Sequence, residues 1–270
     1  MTRIVNFTYY LNPNIYVDYK DLTDPLTIQV PISITNSETI TLYFRLMLVN
    51  PPADYIEHDV QLGSVAAGAS AYKTWTITRT LPTVKTTDNL TARLLVYKDS
   101  EYSDFYGAKD LAINFYLFNR DDGTLIDSDT FDDGSNEGWH GDSGPTLYPS
   151  VSGQTYLSSP YGLKCRRSDD YHYQLFESVW LNGELIIPST VRPPTQNWYR
   201  IVIPLTPNQT NTIRFSTYAT YQYGIYKSWD IGNVSEAYAI IHWRRGTMKS
   251  SADGLNVGDA IDEIYIVTFS

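Results

Sequence analysis

Strict alternation of apolar and polar residues between Leu26 and Thr35 constrains this chain most strongly. In the run Leu-Thr-Ile-Gln-Val-Pro-Ile-Ser-Ile-Thr, every second residue from Leu26 to Ile34 is aliphatic. A repeat of two residues places these side chains on one face of a β-strand. Pro31 falls on the other face and predicts an edge strand. Residues 39–49 are expected to return beside this strand as a hairpin.

The composition extends the preference for strands to the whole chain. Its 270 residues include 23 Tyr, 9 Phe and 6 Trp, and aromatic residues favour strands. Hydrophobic residues make up 42%, enough for a packed core, and no stretch has a convincing helical period. We therefore predict an all-β protein of two β-sandwich domains, residues 1–120 and 125–270, joined through the polar segment 119–130.

Charge and cysteine content narrow the classes of function. A net charge of −10 disfavours nucleic-acid binding and binding to anionic membranes, because both need a basic surface. The single cysteine, Cys165, cannot form an intrachain disulfide and is expected to be a buried core residue. No apolar run reaches 18 residues, so no membrane insertion is expected.

The first ten residues bear on where the protein is found. They contain neither an uninterrupted apolar segment nor a small-residue cleavage site. This predicts synthesis without a signal peptide, followed by retention in the cytoplasm or release by assembly and lysis. The alternative is a secreted mature chain that begins at this point.

Short predicted strands separated by turns fill the first 118 residues, which is typical of a β-sandwich. Besides the first two, they span residues 3–11, 71–79, 90–97 and 111–118. The segment Leu62-Gly-Ser-Val-Ala-Ala-Gly-Ala-Ser70 and the later Leu94-Leu-Val-Tyr-Lys-Asp-Ser-Glu-Tyr102 resemble the adhesion-type immunoglobulin-like sandwiches of microbial and viral surface proteins. The resemblance implies an immunoglobulin-like fold for residues 1–120.

The second half also predicts strands, over residues 131–139, 162–166, 171–181, 198–204, 212–218, 237–244 and 261–269. It resembles the jelly-roll carbohydrate-binding modules, also called galactose-binding-like domains. The resemblance rests on Phe131-Asp-Asp-Gly…Gly138-Trp139, on Ser158-Ser-Pro-Tyr-Gly-Leu-Lys-Cys165 and on Ile261-Asp-Glu-Ile-Tyr-Ile266, which occur in the order and spacing of that family. It implies a jelly roll over residues 125–270, with 131–139 as the first strand and 261–269 as the last.

The same resemblance implies a structural calcium ion. In that family, a carboxylate of the first strand and one of the last strand often meet at Ca²⁺, an ion that takes oxygen ligands. The corresponding residues here are Asp132 and Asp262, with carbonyls of the Ser159–Tyr161 loop and Asp129 nearby. Such an ion would hold the two ends of the domain together. The alternative is that these carboxylates are solvated turn residues.

The densest aromatic stretch, residues 215–229, is a candidate carbohydrate-binding surface, because aromatic rings stack on sugars. The predicted carbohydrate-binding residues are Trp198, Tyr221, Tyr223, Tyr226 and Trp229. Tyr199 and residues 242–245 are further candidates. The alternative is packing within the core or at a protein interface, where Tyr, Trp and Arg are also common.

No catalytic signature is present. The histidines at 58, 140, 172 and 242 show no metal-binding spacing, and neither a Gly-x-Ser-x-Gly elbow nor a phosphate loop occurs. A pair of glycosidase carboxylates cannot be identified from an acidic sequence alone. Asn-x-Ser/Thr sequences begin at Asn6, Asn89, Asn208 and Asn233, a number expected from the Ser- and Thr-rich composition.

Together these features predict a non-enzymatic structural or adhesive protein of an extracellular particle, with a virion surface (decoration, turret or spike) as the preferred setting. Its expected partners are other copies of itself, neighbouring structural proteins and a cell-surface glycan. One alternative is an accessory carbohydrate-binding protein that recognises polysaccharide. A second alternative is a glycoside hydrolase or lyase. Fold resemblance alone does not decide among these functions.

Overall fold

A computed structural model describes residues 7–142, 147–153, 161–167, 173–188, 198–217, 223–246 and 258–270. The chain divides into two compact units, Met1–Asn119 and Arg120–Ser270. The described residues form strands and loops, with a single 3-10 turn at Arg120–Asp122 and no α-helix. The predicted all-β architecture is therefore confirmed. None of the described segments is a helix that could span a membrane.

Among its described residues, 7–119, the N-terminal unit contains nine strands in two sheets. In chain order they are β1 Phe7–Tyr10, β2 Asn14–Asp18, β3 Leu26–Asn36, β4 Leu42–Leu48, β5 Tyr55–Glu57, β6 Val60–Val65, β7 Ser70–Arg79, β8 Thr86–Tyr97 and β9 Phe105–Phe118. One sheet has the order β1-β3-β7-β5 and the other the order β2-β9-β8-β4-β6. Apolar residues of both sheets form one core. All pairings are antiparallel except that of β2 with β9.

The predicted hairpin between the first two long strands is wrong. Strand β3 pairs with β1 and β7, whereas β4 pairs with β6 and β8 in the other sheet. Each of these strands buries one complete face, and both faces contribute to the same core. The two sheets pack face to face around this core, so β3 and β4 meet through side chains and do not share backbone hydrogen bonds. Pro31 lies beyond the part of β3 that β1 covers, which is Ser33–Asn36.

The C-terminal unit contains eleven strands among its described residues, again in two sheets. They are β10 Thr124–Asp129, β11 His140–Gly141, β12 Leu147–Gly153, β13 Tyr161–Arg167, β14 Ser178–Leu181, β15 Glu184–Ile187, β16 Trp198–Leu205, β17 Gln209–Ser216, β18 Gly224–Ile231, β19 Glu236–Arg244 and β20 Ala260–Phe269. One sheet has the order β12-β13-β20-β19-β16, with β10 also paired to β20. The other has the order β11-β18-β17-β14-β15, and both contribute to a second core.

The predicted first strand of this unit, Phe131–Trp139, is wrong. The chain there turns through positive φ angles of 58° at Phe131, 76° at Gly134, 48° at Glu137 and 81° at Gly138, which are incompatible with an extended strand. Phe131 and Trp139 are nevertheless buried, so the two ends of the loop are anchored in the core. The actual first strand, β10, lies inside the segment predicted as a joint.

Candidate functional site

The structure separates the residues predicted to bind carbohydrate. Tyr226 lies on the outer face of β18, whereas Trp229 is a core residue with only 6% of its surface exposed. Tyr223 packs partly against the core at the start of this strand. Trp198 belongs to the other sheet and its side chain lies outside the described residues, as does all of Tyr221. Trp229 therefore cannot offer a ring face to a sugar in this structure.

In the C-terminal unit, a row of side chains crosses the outer face of the sheet β11-β18-β17-β14-β15 at the level of Tyr226. One residue comes from each strand, and each is the register partner of the next. In sheet order they are His140, Tyr226, Arg214, Trp180 and Leu185, which we call the outer-face row. Sequence reasoning missed all of its members except Tyr226, because the pairing of five strands brings them together.

Strand alternation explains why these side chains point away from the core. Their chain neighbours Val179, Ile213, Phe215 and Ile225 are completely buried. Successive side chains of a strand point to opposite faces, so the residues between these neighbours point outward. His140 and Leu185 are exposed, while Tyr226 is half-buried.

The middle of the row is closely packed. The Arg214 guanidinium carbon lies 4.6 Å from the centre of the Tyr226 ring, a cation–π distance. The His140 ring lies 5.7 Å from the same ring and is tilted by 39°. Strand β18 runs between β11 and β17, so these two side chains flank Tyr226 on opposite sides. Both cross-strand neighbours of Tyr226 therefore lie close to its ring.

Asp142 holds the row in place. Its Oδ2 atom accepts hydrogen bonds from Arg214 Nη1 and from the Gly224 backbone N–H, the latter at 2.7 Å. A Cβ atom at Gly224 would lie 2.1 Å from the Phe215 carbonyl oxygen, so only glycine fits this close strand contact. Arg214 is consequently both oriented and charge-compensated before any ligand arrives.

Hydroxyl groups lie beside the row on the same face. Thr212 Oγ1 and Ser228 Oγ are 2.7 Å apart, and Thr210 Oγ1 donates to Asp230 Oδ1 at 2.5 Å. The surface thus combines aromatic rings with short polar groups that both donate and accept hydrogen bonds. Such a combination can recognise the hydroxyls and the apolar faces of a sugar.

A second polar group, the Lys227 cluster, lies at the edge of the same unit's core. Lys227 Nζ contacts Asp127 Oδ2 at 3.2 Å and Asp129 Oδ1 at 2.5 Å. Trp139 Nε1 donates to Asp129 Oδ2 at 2.9 Å, and Trp229 Nε1 donates to Asp127 Oδ2 at 2.7 Å. The ammonium group thus supplies a positive charge between two carboxylates of β10, the first strand of the unit.

Glu137 completes the Lys227 cluster from the loop between β10 and β11. Its Oε1 accepts a hydrogen bond from the Phe131 backbone N–H at 3.0 Å. Burial, followed by the interaction with Asp129, raises the pKa of Glu137 to about 7. The loop therefore contains a carboxyl group that changes its charge near neutral pH.

The carboxylates predicted to share a calcium ion lie in different surroundings. Asp132 is exposed on the loop after β10, whereas Asp262 is completely buried in β20. Asp262 is grouped instead with His242 and Glu263, whose potential ligand atoms all lie within 4.8 Å of one another. Of the predicted carbonyl ligands in the Ser159–Tyr161 loop, Ser159 and Pro160 lie outside the described residues. A calcium ion between Asp132 and Asp262 stays a prediction to which these environments lend no support.

The group around His242 does not fit a metal ion well either. His242 Nδ1 is 3.1 Å from Glu263 Oε2, and Arg200 Nε donates to His242 Nε2 at 3.0 Å. Both ring nitrogens therefore have protein partners, and a metal would have to displace one of them. The arrangement is that of a hydrogen-bonded Arg–His–Glu chain.

Comparisons with known proteins give no assignment. No protein-family model and no curated protein matches the chain. Among solved structures, the YadV chaperone is 8% identical, covers 96% of this chain and 99% of its own, and has a TM-score of 0.28. The sporulation control protein Spo0M from Bacillus subtilis is 10% identical, with coverages of 83% and 89% and a TM-score of 0.21.

A third solved structure is the N-terminal CBM22-1–CBM22-2 tandem domain of Xyn10C from Paenibacillus barcinonensis. It is 10% identical, covers 97% of this chain and 91% of its own, and has a TM-score of 0.23. TM-scores this low do not establish a shared fold for any of the three. The immunoglobulin-like fold of the first unit consequently stays a prediction.

Proposed function

We propose that this chain is a non-enzymatic adhesive protein whose C-terminal unit recognises a glycan through the outer-face row. The observation that supports this most directly is the alignment of His140, Tyr226, Arg214 and Trp180 across four neighbouring strands, beside a line of hydroxyls. Side chains held by a sheet lose little freedom on binding, which favours recognition of a weakly bound sugar.

The test is a glycan array probed with the full-length chain, followed by calorimetric titration of the best ligand. Tyr226→Phe removes the hydroxyl that the row presents and keeps the ring. We expect its affinity to fall about threefold to tenfold, the effect of one lost hydrogen bond. Trp180→Ala, which removes a half-buried ring of the row, should weaken binding at least as much.

Tyr265 provides a matched control on the other sheet. It stacks on the guanidinium of Arg120 at 4.5 Å and lies 6.3 Å from the ring of His242, so its surroundings resemble those of Tyr226. Tyr265→Phe should leave glycan affinity unchanged. Equal affinities for wild type and Tyr226→Phe, or no bound glycan on the array, would contradict the proposal.

Binding without cleavage is part of the proposal. Glycosidases need two carboxyl groups facing each other across a cleft. On this face, Asp142 is held by Arg214 and Gly224, and Asp230 accepts a hydrogen bond from Thr210. Incubation of the bound glycan with the protein should therefore release no new reducing ends. Release at a steady catalytic rate would favour the hydrolase or lyase alternative.

The setting of this activity on a virion or another extracellular particle follows from the sequence reasoning and stays a prediction. It requires the chain to associate with copies of itself or with other structural proteins. Light scattering of the purified chain separates the two adhesive alternatives. A stable oligomer supports a particle component, whereas a 30.7 kDa monomer supports an accessory carbohydrate-binding protein.

A further inference from the structure

The five-stranded sheet of the N-terminal unit has a second surface of aligned polar residues on its outer face. In one row, Asn14 of β2, Asn114 of β9 and Asn89 of β8 are register partners. In the adjacent row, the partners are Tyr16, Tyr116 and Thr87 from the same three strands. We call these six residues the Asn–Tyr face.

Strand alternation directs the Asn–Tyr face away from the core. Ile113, Phe115 and Leu117, which alternate with Asn114 and Tyr116 along β9, are completely buried. The outward residues are exposed or half-buried, with Asn89 and Thr87 the most accessible members. The face is therefore available to a ligand in the described structure.

Four of the six side chains contact one another without a ligand. Asn114 Nδ2 donates a hydrogen bond to Asn14 Oδ1 at 2.8 Å. The rings of Tyr16 and Tyr116 stack with their centres 4.6 Å apart and their planes at 14°. Because these contacts restrain the side chains, binding would cost little additional conformational entropy.

The Asn–Tyr face carries no charge, although the chain has a net charge of −10. Farther along the same strands, Arg93 and Asp110 neutralise each other through two contacts of 2.6 and 2.8 Å. A nucleic acid would need a basic surface, which the face lacks. None of the exposed large apolar residues of this unit, which a protein partner would use, belongs to the Asn–Tyr face; they are Leu22, Ile40, Ile56, Val84 and Phe105.

We propose that the Asn–Tyr face is a binding site for a neutral carbohydrate, separate from the outer-face row of the C-terminal unit. A carboxamide both donates and accepts hydrogen bonds, as does a sugar hydroxyl, so a row of three asparagines can pair with successive hydroxyls. Neighbouring strands are about 4.8 Å apart, which sets the repeat of these amides. The site does not depend on glycan binding by the outer-face row.

The experiment is affinity electrophoresis of the full-length chain in gels containing galactomannan, hydroxyethyl cellulose or acidic alginate. The chain should carry Tyr226→Phe and Trp180→Ala, so that the outer-face row does not contribute. This double variant is the parent to which further substitutions are added. We expect retardation by a neutral polymer but not by alginate. Adding Asn89→Asp, which keeps the shape and replaces the amide donor by a negative charge, should weaken retardation about tenfold, equivalent to about 1.4 kcal/mol.

Asn233→Asp is the matched control, because Asn233 Oδ1 accepts from Asn208 Nδ2 at 3.4 Å and an aspartate can still accept there. This control should bind as the parent does, and circular dichroism should show both variants folded. The proposal fails if no neutral polymer retards the parent, or if Asn89→Asp binds as tightly as the parent. If binding vanishes with the outer-face substitutions alone, that row is the sole site and the Asn–Tyr face is not one.

Discussion

At the scale of single residues, Lys227 is the most informative side chain of the C-terminal unit. Its side chain is only 13% exposed, and its ammonium contacts two carboxylates on β10, one of which, Asp129, is almost completely buried. An uncompensated buried charge is costly, so the three groups depend on one another. The lysine thus ties β18 to β10 by electrostatic attraction, as a structural cation would.

Replacing Lys227 by methionine tests this role. Lys227→Met keeps most of the apolar stem but leaves Asp127 and Asp129 facing each other without a cation. We expect the free energy of unfolding to fall by about 3 to 5 kcal/mol, measured by urea denaturation. Lys98→Met is the control, because the Lys98–Asp104 pair is exposed and should contribute less than about 1 kcal/mol. Equal losses of unfolding free energy in Lys227→Met and Lys98→Met would contradict the structural role of Lys227.

Glu137 predicts a pH dependence of stability. Its pKa is about 7 in the folded chain against an ordinary value of 4.5, so the folded state holds a proton that the unfolded state releases. The contribution of Glu137 to the free energy of unfolding should therefore be largest below about pH 4.5, and it should decline as the pH rises to about 7. Buried Asp259, whose pKa burial also raises to about 7, acts in the same direction.

Glu137→Gln isolates the contribution of the loop. The variant cannot ionise, so its loss of stability between pH 5 and 8 should be smaller than that of the wild type. We expect a difference on the order of 1 to 2 kcal/mol, since Glu137 is partly solvated and screening reduces the effect. Urea denaturation at several pH values measures it. If the free energy of unfolding changes with pH by the same amount in the wild type and in Glu137→Gln, Glu137 is excluded as the titrating group.

At the scale of elements, the pairing of β17 with β18 builds the candidate glycan site. Phe215 faces the core while Arg214 faces outward, and the register brings Arg214 opposite Tyr226 and Ser216 opposite Gly224. The close approach of the two strands at Gly224 allows its N–H to reach Asp142. This backbone contact therefore helps to hold Asp142 against Arg214 of the outer-face row.

Gly224→Ala should disturb this contact. The added Cβ would meet the Phe215 carbonyl at 2.1 Å, so the strands must separate. We expect a loss of about 1 to 3 kcal/mol in unfolding free energy and weaker glycan binding. Gly232→Ala is the matched control in the turn after β18, where no atom lies within 4 Å, and its effect should stay within about 0.5 kcal/mol. Similar losses in both variants would argue against a steric cause.

At the scale of the whole molecule, two hydrophobic cores stabilise the chain. One belongs to residues 1–119 and the other to residues 120–270, and each draws on two sheets. Cys165, the only cysteine, is completely buried in the second core, as the sequence predicted. Its thiol therefore reports the opening of the C-terminal unit and of no other part of the chain.

Thiol labelling of Cys165 can test whether the units unfold separately. Phe115→Ala should destabilise the first core by about 3 to 5 kcal/mol, and Phe215→Ala should do the same to the second. If the units are separate, Phe215→Ala accelerates labelling in urea and Phe115→Ala leaves its rate unchanged. Faster labelling in Phe115→Ala would show that the two cores open together.

Local patterns in the sequence determined the all-β architecture and most of the long strands. The alternation from Leu26 to Ile34 coincides with β3, because side chains of a strand alternate whatever the strand pairs with. The apolar residues of 261–269 coincide with β20, which is buried on both faces. The burial of Cys165 was likewise predicted from its position in a short apolar strand. Predicting these features does not require knowing which distant strands pair with each other.

Only the tertiary structure decided which strands share a sheet and which aromatic residues face outward. The segment 224–231 turns Tyr226 outward yet buries Trp229, because alternate positions of β18 face opposite sides and packing of the sheet decides which side is the core. Asp262 lies beside His242 because β19 and β20 pair across a bulge at this point. Such neighbours are far apart in the chain, and pairing between strands, not local preference, brings them together.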